Sequence, residues 1–118
     1  AIVIISHDLG VIAETADRVA VMYTGQIMES ADTLSLFATP LHPYTRGLMK
    51  AIPSLVAGAD QTELYEIAGV VPSLLDLPTG CPFSPRCPQV NAICCKQKPT
   101  LREVADNHRV ACWMVDHD

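Results

Sequence analysis

The apolar positions at the start of the chain predict a strand followed by a helix. Residues 1–5 form an unbroken apolar run in which four of five side chains are β-branched, a composition typical of a strand buried on both faces of a parallel sheet. A helix or an edge strand is the alternative. Leu9 and Ile12 then recur at helical spacing behind Asp8, which is suited to cap the helix. Little downstream resembles a partner for a parallel strand, so the run favours a chain that is the tail of a longer protein.

A β-hairpin is predicted next. Residues 18–23 and 26–29 are two short segments typical of strands, and Thr24 and Gly25 lie between them. Two-residue connections that contain glycine favour tight hairpins, because they tolerate the positive backbone angles that such turns require.

Two short helices should follow the hairpin. Asp32 is placed to cap the first, which we expect to end near Phe37. Pro43 is suited to the first position of the second, which should run to about residue 52. The second helix is expected to line one face with three side chains: Tyr44, Leu48 and Ala51.

The second half of the chain has weaker periodicity. Residues 53–62 are typical of a linker, although an ordinary surface loop is equally compatible with their composition. Residues 63–71 alternate loosely and favour a strand, whereas the five prolines of residues 72–88 predict an extended loop. We expect a last short helix over residues 100–106 and a strand over residues 110–114.

Composition and charge narrow the function classes. The chain of 118 residues is 49% apolar but only 5% aromatic, which predicts an aliphatic core. A net charge of −5 argues against a nucleic-acid partner, because phosphates attract basic surfaces. No apolar run approaches the length of a membrane span, and no basic segment precedes the first apolar run as in a signal peptide.

The cysteines are the strongest chemical signal in the second half. All five lie within residues 81–112, and four of them are separated by gaps of five, six and seventeen residues. Zinc sites usually take paired thiols from one tight turn, so the longer gaps suit a larger iron–sulfur cluster better. Zinc, and disulfides or free thiols, remain the alternatives, and a reducing compartment would disfavour disulfides. The four candidate ligands are Cys81, Cys87, Cys94 and Cys112.

Several segments together resemble one protein family. Residues 5–11 (ISHDLGV) and 16–27 (ADRVAVMYTGQI) are similar to the switch-histidine region of ABC-transporter ATPases. Residues 41–48 (LHPYTRGL) resemble the His-Pro-Tyr segment of the oligopeptide/dipeptide subfamily. Residues 69–74 and 77–88 match the C-terminal extension of that subfamily, so the resemblance covers essentially the whole chain.

The resemblance implies an α/β fold with two parts. Residues 1–52 would be the C-terminal part of a P-loop ABC nucleotide-binding domain, comprising the buried strand, the helix, the hairpin and the short helices. Residues 53–62 would be the linker. Residues 63–118 would be the small irregular extension that carries the cysteines.

By the same resemblance, His7 is the switch histidine that contacts the γ-phosphate of ATP, and Asp8 orients its loop. The chain has no phosphate-binding G-x-x-x-x-G-K-[ST] loop, no Leu-Ser-Gly-Gly-Gln signature and no acidic strand end for magnesium. We therefore expect the parent protein to hydrolyse ATP with magnesium, and this chain alone to be inactive.

The implied partners are a second ABC ATPase subunit and transmembrane permease subunits, with a peptide-binding protein acting indirectly. The implied place is the cytoplasmic face of the inner membrane, where the protein would be peripheral and would drive uptake of di- or oligopeptides.

The resemblance also implies ligands for a [4Fe–4S] cluster at Cys81, Cys87, Cys94 and Cys112, with Cys95 outside the pattern. Zinc is the less favoured occupant. Arg86 and Arg109 are candidates to offset the charge of a thiolate-bound group, or they are ordinary surface arginines. A second function class also remains open, namely a free-standing iron–sulfur or zinc module with a regulatory or redox role.

Overall fold

The computed structural model describes residues 2–6, 8–51, 67 and 69–115. The predictions for His7 and for the linker lie outside this range, as does most of the strand predicted over residues 63–71; its described residues, 67 and 69–71, form no strand. The elements, in chain order, are α1 (Leu9–Thr15), β1 (Arg18–Tyr23), β2 (Gln26–Asp32), α2 (Thr33–Ala38), α3 (Pro43–Lys50), a 3-10 turn (Ser84–Arg86), α4 (Ala92–Lys96), β3 (Arg102–Ala105) and β4 (His108–Val110).

The segment before α1 is not the buried strand that its sequence predicts. Residues 2–6 form no strand, and Ile2 and Ile5 are 89% and 96% exposed. The physical reason is the absence of neighbours, because the sheet formed by the described residues is antiparallel and includes none of this segment. The apolar run is therefore compatible with a buried strand only where a parallel partner is supplied.

The predicted hairpin is confirmed. β1 and β2 pair antiparallel from Arg18↔Asp32 to Tyr23↔Gln26, with one irregularity after Val21. Thr24 and Gly25 both have positive φ, 51° and 78°, as the tight turn demands. The side chains of β1 alternate between exposed and buried, so one face of the hairpin packs on the core.

A second hairpin joins the first through β2. The strand order is β1-β2-β4-β3, and β2 pairs with β4 at Glu29↔Val110 and Ser30↔Arg109. The helix predicted over residues 100–106 is wrong, because β3 occupies that segment, and β4 ends at Val110, where the predicted strand 110–114 was to begin. Asn107 has a φ of 56°, which indicates a turn that the sequence reasoning missed.

The helix boundaries agree well with the capping residues. Asp8 accepts hydrogen bonds from the backbone N–H groups of Gly10 and Val11, and Asp32 accepts one from that of Ser35. Pro43 begins α3. Of the face predicted for α3, Tyr44 and Leu48 are half-buried and pack on the core, but Ala51 is exposed because α3 ends before it.

Two buried clusters form the core of the described residues. The aliphatic cluster lies between α1, β1, β2, α2 and α3, and consists of Ile12, Val19, Val21, Ala31, Leu36 and Met49. The aromatic–thiol cluster joins the first hairpin to the cysteine loop, and consists of Tyr23, Met28, Cys81, Phe83 and Cys94. Within the described part of the chain, no helix is both long and apolar enough to span a bilayer.

Candidate functional site

The four predicted ligand cysteines line one cavity, which we call the thiol cavity. Its wall also includes His42, Phe83, Trp113 and Met114. All four thiols are free, so no described pair forms a disulfide. The space between the walls is about 10 Å³, close to what one water molecule requires. A group larger than a water molecule would therefore require the sulfur atoms to turn outward.

Different elements deliver the four thiols. Cys81 and Cys87 flank the 3-10 turn, Cys94 lies in α4, and Cys112 follows β4. The backbone N–H of Cys81 donates a 2.7 Å hydrogen bond to the carbonyl oxygen of Cys94. This bond fixes the cysteine loop directly onto α4.

Gly80 permits that close approach. A Cβ atom at this position would collide with the carbonyl oxygen of Cys94 and lie 2.7 Å from the carbonyl carbon of Cys95. Neither backbone atom belongs to a flexible side chain that could swing aside. Residue 80 must therefore be glycine for the loop and α4 to pack as they do.

Phe83 anchors the cysteine loop to the first half of the chain. Its ring is 1% exposed and meets Tyr23 edge-on, with centroids 5.3 Å apart and planes at 87°. The ring of His42 lies 5.7 Å from it at 63°, and that of Tyr44 5.3 Å away. Such edge-to-face contacts stabilise a buried aromatic group beyond its area alone.

Backbone N–H groups point at the sulfur atoms two residues before them. The N–H of Gln89 donates to Cys87 Sγ at 3.4 Å, and that of Met114 donates to Cys112 Sγ at 3.4 Å. The backbone of Phe83 acts on Cys81 in the same sense, by lowering its pKa. Hydrogen bonds to the charged form favour a thiolate. The backbone next to Cys81, Cys87 and Cys112 therefore favours negatively charged sulfur.

Burial has the opposite effect on the pKa values of these thiols while no cation is bound. It raises the pKa of Cys81 to about 11, and the neighbouring thiols add to the shift. Burial is also the main cause that raises the pKa values of Cys87 and Cys112. At neutral pH these thiols are therefore protonated and unreactive, and a cation that binds them must displace their protons.

The chemistry of this donor set fits a cubic iron–sulfur cluster, which takes one thiolate for each iron. A tetrahedral zinc ion also takes four thiolates, with Zn–S bonds of about 2.3 Å. Among the residues that the structure describes, no three His, Cys, Asp or Glu side chains are arranged to hold a metal ion.

The two adjacent cysteines have different environments. Cys94 is 6% exposed and lines the thiol cavity, whereas Cys95 is exposed. Both lie in α4, which the sequence reasoning missed because it assumed an extended chain there. Successive side chains of a helix point in different directions, so the two thiols still diverge.

A buried polar cluster around Glu29 is linked to the cavity through the backbone of His42, and the sequence reasoning did not find it. The Glu29 carboxylate is fully buried and accepts the backbone N–H groups of Leu41 and His42 at 2.8 and 2.9 Å. His108 Nε2 lies 2.5 Å from the same carboxylate. Glu29 therefore joins β2, the segment before α3, and β4. A glutamate amid the buried positions of β2 was the available sequence signal.

Among the described residues, His42 is the one histidine on the wall of the thiol cavity. Its Nδ1 caps α3 by accepting the backbone N–H of Tyr44 at 3.0 Å. Its Nε2 is buried and has no hydrogen-bond partner among the described residues. Burial lowers the pKa of His42 to about 4, against the opposing effects of the Glu29 charge and the Ala111 backbone, so the ring is neutral at pH 7.

The candidate arginines differ from each other. Arg86 donates to the Tyr23 hydroxyl at 3.3 Å and to the carbonyl of residue 67 at 3.1 Å, and it lies over the Tyr23 ring. Arg109 is exposed on β4. Neither arginine is among the residues that line the thiol cavity.

Comparison with known proteins places these features in a family. The profile of the family described as "Oligopeptide/dipeptide transporter, C-terminal region" matches residues 28–94, more than half of the chain. The match begins in β2 and ends at Cys94, so it includes the His-Pro-Tyr segment, the cysteine loop and three of the four cavity thiols.

Individual relatives align over nearly the whole chain. A "Probable peptide ABC transporter ATP-binding protein y4tR" from Sinorhizobium fredii is 50% identical over 96% of this chain and 33% of its own length. The "Dipeptide transport ATP-binding protein DppD" of Bacillus subtilis is 43% identical over 98% of this chain and 34% of its own. The "Oligopeptide transport ATP-binding protein OppD" of Mycobacterium tuberculosis is 50% identical over 94% and 18%.

The chain thus spans about a third or less of the length of these relatives. The family match and the relatives agree with the resemblance found in the sequence. This chain belongs to the family of the oligopeptide/dipeptide transporter C-terminal region.

Proposed function

We propose that this chain is part of the ATP-binding subunit of an ABC importer that couples ATP hydrolysis to uptake of di- or oligopeptides. The observation that carries the proposal is the identity of 40–50% to peptide-transport ATP-binding proteins over nearly the whole chain. In this proposal a second ATPase subunit and transmembrane permease subunits are the partners, at the cytoplasmic face of the membrane. A peptide-binding protein would act indirectly.

His7 would act in that subunit as the switch histidine. An imidazole N–H that donates to a γ-phosphate oxygen stabilises charge as it redistributes in hydrolysis. The Asp8 cap supports the role, because it fixes the start of α1 immediately after His7. ATP and magnesium would be held by segments that this sequence does not contain.

The test uses the gene together with its flanking sequence. If the proposal holds, the sequence before Ala1 encodes a G-x-x-x-x-G-K-[ST] loop, and the complete subunit hydrolyses ATP with its permease in vesicles. His7→Ala should then reduce turnover by about tens to thousands of fold while ATP affinity changes little. The 118-residue chain alone should bind no ATP with micromolar affinity in calorimetry. Near-normal turnover of the variant would assign His7 a structural role.

We further propose that the thiol cavity is a thiolate site for a [4Fe–4S] cluster with ligands Cys81, Cys87, Cys94 and Cys112. The convergence of these four free thiols on one cavity supports it, and so do the N–H groups aimed at the sulfur of Cys87 and of Cys112. A bound cluster supplies one-electron redox chemistry or structural crosslinking.

Anaerobic reconstitution with iron and sulfide tests the ligand assignment. Cys94→Ser should lose most of the bound iron and the visible absorption of the cluster. Cys95→Ser is the matched control, one position away and exposed, and should retain both. Equal behaviour of the two variants would overturn the assignment. A wild-type chain that binds zinc but never iron would overturn the cluster.

A further inference from the structure

The Nε2 atom of His42 is a buried polar atom on the wall of the thiol cavity that forms no hydrogen bond among the described residues. His42 is 1% exposed, lines the cavity with the four thiols, and leaves Nε2 without a partner. A buried, unsatisfied donor or acceptor costs about 1–3 kcal/mol, so such an atom calls for a ligand that the protein itself does not provide.

The hydrogen bond at the other ring nitrogen decides the chemical character of Nε2. Nδ1 accepts the backbone N–H of Tyr44 at 3.0 Å, so Nδ1 carries no proton. In a neutral imidazole the proton must then reside on Nε2; the tautomer is assigned from this bond. Nε2 is therefore a hydrogen-bond donor that has no acceptor among the described residues. It is not a lone pair available to a metal ion.

The surroundings limit what that acceptor is. The Ala111 backbone raises the pKa of the ring, but Nε2 has no hydrogen-bond partner among the described residues. The other groups on the cavity wall that become strong acceptors on losing a proton are the four thiols. Sulfur that carries negative charge, as a thiolate or as cluster sulfide, accepts hydrogen bonds, and such bonds tune the potential of a cluster.

We propose that His42 Nε2–H donates a hydrogen bond to sulfur of the group held in the thiol cavity, and so sets the reduction potential of that group without ligating it. The inference rests on the proposed thiolate site. His42 is a positioning and tuning residue here. Its cap on α3 places the donor, and the Glu29 carboxylate fixes the backbone of the same residue through its N–H.

Two substitutions at residue 42 separate the donor from the helix cap. Asn places its oxygen near the position of Nδ1, so His42→Asn keeps the cap and removes the donor. Gln places its amide N–H near the position of Nε2, so His42→Gln keeps a donor and weakens the cap. Thr45→Val is a matched control, because Thr45 Oγ1 is also buried without a partner but does not line the cavity.

The readout is the reduction potential of the anaerobically reconstituted chain, measured beside its iron and sulfide content. In His42→Asn we expect the equilibrium constant for one-electron reduction to fall about tenfold, which is about 59 mV, with iron content retained. The reduced group is more negative, so losing a donor disfavours it. His42→Gln and Thr45→Val should stay near wild type. A shift in Gln with none in Asn would overturn the inference and leave only the cap.

The wild-type chain supplies the second measurement if both variants fail to fold. Its ¹⁵N-labelled histidine spectrum should contain a protonated His42 Nε2 whose resonance moves on reconstitution. An unprotonated or unmoved Nε2 overturns the inference while iron uptake still supports the proposed site. A wild-type chain that takes up neither iron nor cobalt(II) overturns the thiolate site itself, and the inference with it.

Discussion

The two buried clusters differ in residue type and in the distance along the sequence that separates their members. The aliphatic cluster draws its members from one continuous stretch, from Ile12 to Met49, and its contacts follow the periodicity of α1, the first hairpin and α2. The aromatic–thiol cluster joins Tyr23 and Met28 to Cys81 and Cys94, many residues away. Its Phe83 ring contacts buried His42, whose backbone N–H donates to the buried Glu29 carboxylate. The first cluster stabilises by apolar area alone, whereas the second also carries thiols and lies beside buried polar hydrogen bonds.

The polar groups of the core are concentrated on the aromatic–thiol side. Buried polar groups are costly unless they are paired, and the aliphatic cluster contains none. Among the described residues, two buried atoms without a hydrogen-bond partner, His42 Nε2 and Thr45 Oγ1, lie at the N-cap and in the first turn of α3. Of these two residues only His42 lines the thiol cavity, so a ligand that satisfies its Nε2 would lie on the aromatic–thiol side.

Truncating one buried side chain in each cluster should produce the largest effects. Phe83→Ala removes the ring that Tyr23, His42 and Tyr44 contact, and should lower the free energy of unfolding by about 3–5 kcal/mol. Leu36→Ala, at a fully buried site of the aliphatic cluster, should cost about 2–5 kcal/mol. Urea denaturation measures both.

The two variants should differ in a second readout. In Phe83→Ala the thiol of Cys81 should become accessible to alkylation in the folded protein, because the loop loses its anchor. In Leu36→Ala it should stay protected. Equal exposure of Cys81 in both variants would mean that the two clusters unfold as one unit.

A steric change at the cysteine loop should be the next largest effect. Gly80→Ala introduces a Cβ into the backbone of α4 and should lower the free energy of unfolding by about 3 kcal/mol. Most of the iron uptake that we propose for the thiol cavity should be lost with it. Gly25→Ala is the control in the first hairpin, where a Cβ meets open space. It should cost about 1 kcal/mol through its positive φ and leave iron binding intact. Similar iron contents in both would show that the loop can retreat from α4.

The elements of the first half of the chain were largely predictable from the sequence. The hairpin and the helices α1, α2 and α3 were predictable because their signals are local: a Thr24–Gly25 turn, aspartate caps and a proline at the first helical position. The convergence of Cys81, Cys87, Cys94 and Cys112 was foreseen only as a ligand set, and the structure brings the four to one cavity.

The misses arose from contacts that local patterns do not encode. Residues 102–105 form a strand because β4 and β2 provide its sheet. Without that partner the same residues are compatible with the helix that we predicted. The opposite error occurred at residues 2–6, whose strand propensity is strong but whose partner is absent from the described chain. The role of Glu29 depends on contacts of β2 with the segment before α3 and with β4. The spacing of residues along the chain does not encode these contacts.

A smaller effect should follow from the pH dependence of stability. The pKa of His42 is depressed to about 4 by burial, against about 6.5 in the unfolded chain. The unfolded state therefore binds the proton first as the pH falls. The stabilisation is fully present above about pH 6.5 and is lost as pH falls towards 4. Between pH 7.5 and 5, protonation of His42 in the unfolded chain should lower the free energy of unfolding by about 2 kcal/mol.

The matched measurement is urea denaturation of wild type and His42→Asn at both pH values under reducing conditions. The variant has no titrating group at residue 42, so its loss of stability between the two pH values should be smaller by about 2 kcal/mol. An equal loss in both proteins would indicate that the His42 ring takes up its proton without leaving the folded state.

The smallest perturbation is chemical labelling of the metal-free protein at neutral pH. Cys95 is exposed, whereas Cys81 is buried with a pKa raised to about 11. Iodoacetamide should modify Cys95 at least about tenfold faster than Cys81, because the reagent reacts only with a thiolate that it can reach. Peptide mass spectrometry measures the rates, and Cys95→Ser should remove the fast phase. A fast phase that persists in that variant would place the reactive thiol elsewhere.

The pairing of β2 with β4 has a consequence for how the chain acquires its structure in time. Glu29 and His108 are 79 positions apart, so β2 and β4 can pair only after residue 108 has been synthesised. Contacts between distant residues form slowly, since a long loop must close before they stabilise anything. The first hairpin and the aliphatic cluster need no such closure. During synthesis they should be folded while Cys81, Cys87 and Cys94 still wait for Cys112 to emerge from the ribosome. Assembly of the sulfur site then follows the folding of the first hairpin and waits until Cys112 has left the ribosome.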